Sequence, residues 1–120
     1  MEKVNLTESF ALFDDMFSHR IVGEINEMYV KLVKIDTGFI WHSHDWEDEM
    51  FFVARGRLTM HFRDRSIEVG PGEFVIVPHG VEHKPEAAEE THIMLIEPKE
   101  TVNTGGEESD LKHDPSWIEK

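Results

Sequence analysis

From Ile21 to Glu97 the chain is cut into short apolar runs by turn residues at intervals of roughly 8 to 12 residues, which leaves little room for helix. Ile21 to Ile25 is followed by a tight Asn26-Glu27 connection and then by Met28 to Ile35, where Met28, Val30 and Leu32 alternate with Tyr29, Lys31 and Val33. This is the period-2 pattern of a hairpin. Leu58, Met60 and Phe62 alternate with Thr59, His61 and Arg63. Ile67 and Val69 share a face after the charged turn Arg63-Asp64-Arg65, and Gly70-Pro71-Gly72 forms the next turn. Glu73 to Val77 is apolar after its first residue and reads as a central strand covered on both sides. Thr91 to Glu97 is the last strong strand, stopped by Pro98. Such a chain is expected to be all-β, a jelly-roll sandwich or barrel.

Outside this region the signals change. Asn5 and Glu8 have capping-box spacing, and Leu6, Phe10, Phe13 and Phe17 recur as one face of a short N-terminal helix or turn, which would pack on an outer sheet face or on a partner subunit. We therefore expect an N-terminal segment at 1–20, a β-barrel domain at 21–98 and a polar, acidic tail at 99–120, wrapping the surface, with Trp117 and Ile118 as possible anchors. At 120 residues one domain and one core suffice.

Composition excludes several function classes. A net charge of −13 argues against nucleic acid or an anionic membrane as partner. Cysteine is absent, so disulfides, a thiolate nucleophile and sulfur-ligated zinc are excluded. The N-terminus has no apolar signal core and no run approaches a membrane span, which gives a cytoplasmic, soluble protein as the expectation.

Chemistry concentrates in two stretches, GFIWHSHDWEDEMFFVARG from Gly38 to Gly56 and GEFVIVPHGVEH from Gly72 to His83. His42 and His44 stand two apart in a run that reads as a strand, so both imidazoles would project from one face. Glu49 follows the acidic loop Asp45-Trp46-Glu47-Asp48 and opens an apolar run. His83 follows Pro78 and Gly80. Three imidazoles and a carboxylate suit a divalent first-row metal. Glu47 and Asp48 are alternative carboxylates, and Glu49 is preferred for its spacing to Gly56. Taken singly, a histidine on an apolar strand is more often packed or solvated than a ligand; the remaining histidines, His19, His61, His79, His92 and His113, carry no motif and are expected to be structural or solvated, with His92 a second-shell candidate.

These two stretches resemble the motifs of the cupin superfamily, in particular its small single-domain members of the cupin 2 type. The first motif falls on His42, His44, Glu49 and Gly56, the second on Gly72, Pro78, Gly80 and His83. The sequence departs from the pattern in having only three residues between Gly38 and His42, and Ala87 where the second motif often has Asn; neither touches a ligand position. The resemblance implies a small barrel holding one divalent transition metal per chain (Fe, Mn, Ni, Cu or Zn) on His42, His44, Glu49 and His83. Its apolar walls would come from among Phe51, Val53, Phe62, Phe74, Ile76 and Met94. It also implies a small-molecule ligand or substrate in the barrel and a homodimer. Similar cupins include dioxygenases, sugar isomerases and decarboxylases. Three readings follow: a metal-dependent enzyme acting on a small polar or oxygenated molecule, a non-catalytic small-molecule binding or sensing module, and a storage-type protein.

Overall fold

The computed structural model describes residues 1–120. Its strands are β1 (Arg20–Ile25), β2 (Met28–Ile35), β3 (Glu49–Arg55), β4 (Leu58–Phe62), β5 (Ser66–Val69), β6 (Phe74–Val77), β7 (His83–Glu86), β8 (Thr91–Pro98) and β9 (Ser116–Trp117). Six of them form a sheet ordered β6-β3-β8-β2-β1-β9, and the other three a sheet ordered β5-β4-β7. All pairings are antiparallel except β1 with β9. The two sheets face one another as the jelly-roll sandwich expected from the strand pattern.

The core lies between the sheets because the inward residues of both are apolar. Val33, Ile35, Phe51, Val53, Val77, Ile93 and Leu95 from the larger sheet meet Leu58, Met60 and Val69 from the smaller. Val53, Leu58 and Met60 are fully buried; each such side chain contributes about 1.5–3 kcal/mol by leaving water.

β6 differs from the expectation. Its unbroken apolar run suggested a central strand, but it stands at the edge of the larger sheet, with Phe74 58% and Ile76 54% exposed on the outer face. The chain leaves β6 at Pro78, and no strand follows on that side. Neither Phe74 nor Ile76 can therefore line the interior, and Met94 likewise faces outward, against the N-terminal segment.

That segment forms helix α1 (Leu6–Phe10), capped by Asn5, whose side-chain oxygen accepts a hydrogen bond from Glu8 N at 2.9 Å. The helix stops at Phe10, short of the whole aromatic stripe. Phe10 and Phe13 cover the outer face of the larger sheet around Leu32, whereas Phe17, at φ 60°, turns away and stacks on Phe39 at 5.7 Å on the inner side. One stripe thus serves two faces. His92 goes outward with Phe10, its ring stacked at 4.6 Å, and so does not support the ligand histidines from behind.

Gly56 closes the β3–β4 turn at φ +88°, and a Cβ there would sit 2.8 Å from Thr91 Cα and 2.9 Å from Glu90 O. Backbone cannot yield as a side-chain tip can. Gly56→Ala is therefore expected to cost more than about 2 kcal/mol, and Gly72→Ala, at a similar φ of +83° but with open space around it, about 1 kcal/mol. Urea midpoints of the two variants check the order.

Residues beyond β8 do more than wrap the surface. Thr101, Asn103 and Thr104 are buried, and Gly105, at φ +64°, lies against the backbone of Ser43 beside His42. β9 then pairs with β1, while Ile118 joins the cluster around Phe10. No helix is long and apolar enough to cross a membrane.

Candidate metal centre

The His-x-His run is not a continuous strand. Pairing reduces to isolated bridges, and His42 is set directly opposite His83 by two hydrogen bonds, His42 N to His83 O at 3.0 Å and His83 N to His42 O at 2.9 Å. The glycine-proline turn before β7 is pinned to the same run, since Gly80 N donates to His44 O at 2.7 Å. Glu49 is the first residue of β3 and comes in from the facing sheet.

The four side chains meet. His42, His44, Glu49 and His83 are all buried, with one potential ligand atom from each lying within 4.8 Å of the others. The neighbouring acids are elsewhere: Asp48 accepts from His79 N and contacts His79 Nδ1, both at 2.8 Å, and Glu47 accepts from Trp46 N at 3.2 Å. Of the three carboxylates, Glu49 alone is buried among the histidines.

The donor set fits a cation. His42 Nδ1 lies 2.9 Å from Ile40 O and His83 Nδ1 2.9 Å from Val81 O, contacts that require the ring proton on Nδ1 and leave Nε2 as a lone pair. His44 Nε2 and His83 Nε2 approach Glu49 Oε1 at 2.9 and 3.1 Å. None of these three atoms has a hydrogen-bond partner of good geometry. Lone pairs held that close in a buried site need a proton or a positive ion between them, and one ion answers all three. His42, His44, Glu49 and His83 could thus bind a metal ion.

Behind Glu49 lies a polar chain that the motif does not contain. Lys31 Nζ donates to Glu97 Oε1 at 2.8 Å, with both side chains 1% exposed. The β3–β8 register sets Glu97 beside Glu49. Burial, then the charge of Glu49, pushes the Glu97 carboxyl well above the usual range. For Glu49, burial raises the pKa, but the close approach of Glu97, His44 and His83 outweighs it and holds the group well below its usual value.

Burial, and then the neighbouring His83, lowers His42 from 6.5 to about 4, so it stays neutral and free to ligate well into the acid range. Between those values the unfolded chain takes up a proton that the folded one refuses. Stability is therefore full above pH 6.5 and falls as pH drops toward 4, by about 1.4 kcal/mol per unit for this group. Burial lowers His19 further, to about 3, which adds to the loss. Urea unfolding of metal-free protein from pH 7 to pH 4 should show the decline.

Beside His42 and Glu49 a small cavity opens, with about 40 Å³ of room for the centre of a water-sized sphere. Phe51 lines it as expected, with Phe17, Val33, Phe39 and Leu95. Val53 and Phe62 belong to the packed core instead. Two polar wall residues, His19 and Asn103, were not singled out by motif reasoning; nothing in their sequence context marks them.

The sequence pattern of the Cupin domain family, Cupin_2, matches residues 29–97. The chain belongs to the cupins. Among solved structures, a cupin-2 domain containing protein from Shewanella frigidimarina is 45% identical, at a TM-score of 0.78, covering 79% of this chain and 93% of that one. Protein NMB1881 from Neisseria meningitidis is 28% identical at a TM-score of 0.74, over 81% and 99% of the two chains. The uncharacterized protein YdbB of Bacillus subtilis is 28% identical over 80 residues, 66% of this chain and 71% of that protein. In this cupin the candidate ligands His42, His44, Glu49 and His83 fall within the matched region, whereas Phe17, His19 and Asn103 come from the flanks.

Proposed function

We propose that this cupin is a metal-dependent enzyme acting on a small polar or oxygenated organic molecule, with dioxygenase- or isomerase-type chemistry. One divalent transition metal per chain would be held by His42, His44, Glu49 and His83. The observation that carries the reading is the buried convergence of these four side chains at the end of an apolar cavity. A divalent ion there would supply Lewis-acid polarisation and open coordination positions. The protein's own part is to keep His42 neutral, to hold Glu49 ionised among Glu97, His44 and His83, and to exclude water with Phe17, Phe39 and Phe51.

A non-catalytic binding module is the second reading, favoured by the small room beside His42 and Glu49, about 40 Å³. Aerobic and anaerobic incubation of iron-, manganese- and nickel-loaded protein with a panel of small hydroxy acids, keto acids and sugars distinguishes the two. Product formation that is lost in His42→Ala supports the enzyme; ligand recovered unchanged across the panel supports the binding module.

We further propose a homodimer through the outer face of β3 and β6. Exposed Phe74 and Ile76 there lie opposite Phe52 and Met50 in the strand register, and an apolar edge face of this kind invites association. Sedimentation showing only a 14.0 kDa species would remove this proposal.

A further inference from the structure

The wall of the cavity away from the motif residues is built by segments on either side of the matched region, and it carries two polar side chains, His19 and Asn103. Asn103 is already engaged: its Nδ2 donates to Leu111 O at 2.9 Å and its Oδ1 accepts from His113 N at 3.1 Å. His19 is different. It is 8% exposed, and its Nδ1 is buried without a hydrogen-bond partner. Its position is nonetheless fixed, because His19 O accepts from Ser116 N at 3.1 Å and its ring stacks on His113 at 6.5 Å. A buried polar nitrogen without a partner costs free energy comparable to a lost hydrogen bond, so one on a rigidly held residue of the cavity wall favours a ligand atom as its partner.

Size and charge restrict that ligand. The room available, about 40 Å³, corresponds to roughly three water positions. With a divalent ion against one ionised carboxylate, the centre carries excess positive charge inside apolar walls, which favours an anion.

We propose that His19 is a ligand-positioning residue, and that the cavity takes a short-chain hydroxycarboxylate, bound at the His42–Glu49 end by oxygen and held at its other end by the His19 ring. This inference rests on the metal-site reading above, with His19 acting on the ligand rather than on the metal.

The test uses the full chain loaded with cobalt(II), whose visible absorption reports both uptake and ligand binding. Glycolate, acetate and gluconate are titrated into wild type, His19→Leu and His19→Gln, with cobalt affinity measured by chelator competition and folding by thermal melting. Wild type is expected to bind glycolate more tightly than acetate and to exclude gluconate. His19→Leu should weaken glycolate roughly tenfold, the equivalent of one buried hydrogen bond, while acetate and cobalt affinity stay within about twofold. His19→Gln, which keeps a donor and an acceptor, should restore most of the glycolate affinity. Unchanged glycolate binding in His19→Leu would overturn the proposal. So would an equal loss of acetate and glycolate alongside a lower melting temperature, which is what a structural role predicts, or gluconate binding as tight as glycolate. Failure to take up cobalt overturns the metal reading and this one together; uptake without dependence on His19 overturns this one alone.

Discussion

Stripping metal from the loaded protein is expected to lower its melting temperature by about 10 °C or more, and Glu49→Gln is expected to abolish that response. A ligand present at 100 to 1,000 times its dissociation constant stabilises the folded state by about 2.7–4.1 kcal/mol, and in a chain of this size each kcal/mol moves the midpoint by about 4 °C. The four donors are scattered over the unfolded chain from His42 to His83, so the site exists only when β3 and β7 are in place. Glu49→Gln keeps the shape while removing the charge that draws the cation, so a chelator should then leave the melting curve where it was. Differential scanning calorimetry with and without chelator gives the comparison. A shift of the same size in wild type and Glu49→Gln would place the responsible ion elsewhere.

The second large effect concerns the pair behind the site. Lys31→Met should destabilise the protein by about 3 kcal/mol or more, because removing one partner of a buried ion pair leaves the other uncompensated. Glu97 can take up a proton in response, which holds the loss near the lower end of the usual range of about 3–5 kcal/mol. The double variant Lys31→Met, Glu97→Leu should recover most of the stability, since an apolar pair of similar volume fills the same space. Its metal affinity should still fall, because Glu49 loses a neighbour that helps to hold its pKa down. Urea unfolding and chelator competition separate the two consequences. If the double variant is as unstable as Lys31→Met, packing rather than charge governs the site.

What could be read from the sequence and what could not divide along physical lines. Period-2 alternation puts Leu58 and Met60 on one face, and Ile93 and Leu95 on one face opposite to Met94, because a strand sends neighbours to opposite sides; which face is inward it leaves open, and the structure buries all four. The same parity carried a signal that was passed over: Lys31 falls in step with Val33 and Ile35, and Glu97 with Ile93 and Leu95, so both charges had to enter the interior. Alternation is silent about which strand takes an edge. β6 is as apolar as a central strand, and only the chain's exit at Pro78 leaves Phe74 and Ile76 in the open.

The convergence of His42, His44, Glu49 and His83 was legible because glycine and proline positions fix the turns that bring them together. Gly80 shows how, its amide bonded to His44 O and its φ at +80°. His19 and Asn103 were not legible, because their place in the cavity depends on contacts between residues far apart in sequence, Ser18 with His113, His19 with Ser116 and Gly105 with Ser43 among them. The helical stripe failed at Phe17 for a related reason: Phe10 and Phe13 find their partner in Leu32 on the sheet, while Phe17 turns inward to Phe39, and tertiary packing overrides the helical period.

Metal content by inductively coupled plasma mass spectrometry, on untagged wild type and on a His42→Ala, His83→Ala double variant prepared in parallel, bears on the site without any assumption about substrate. Close to one equivalent of a divalent transition metal in wild type, lost in the variant, is the expected result. Less than about a tenth of an equivalent in wild type after reconstitution, or equal metal in both proteins, would contradict the assignment of His42, His44, Glu49 and His83 as a metal centre.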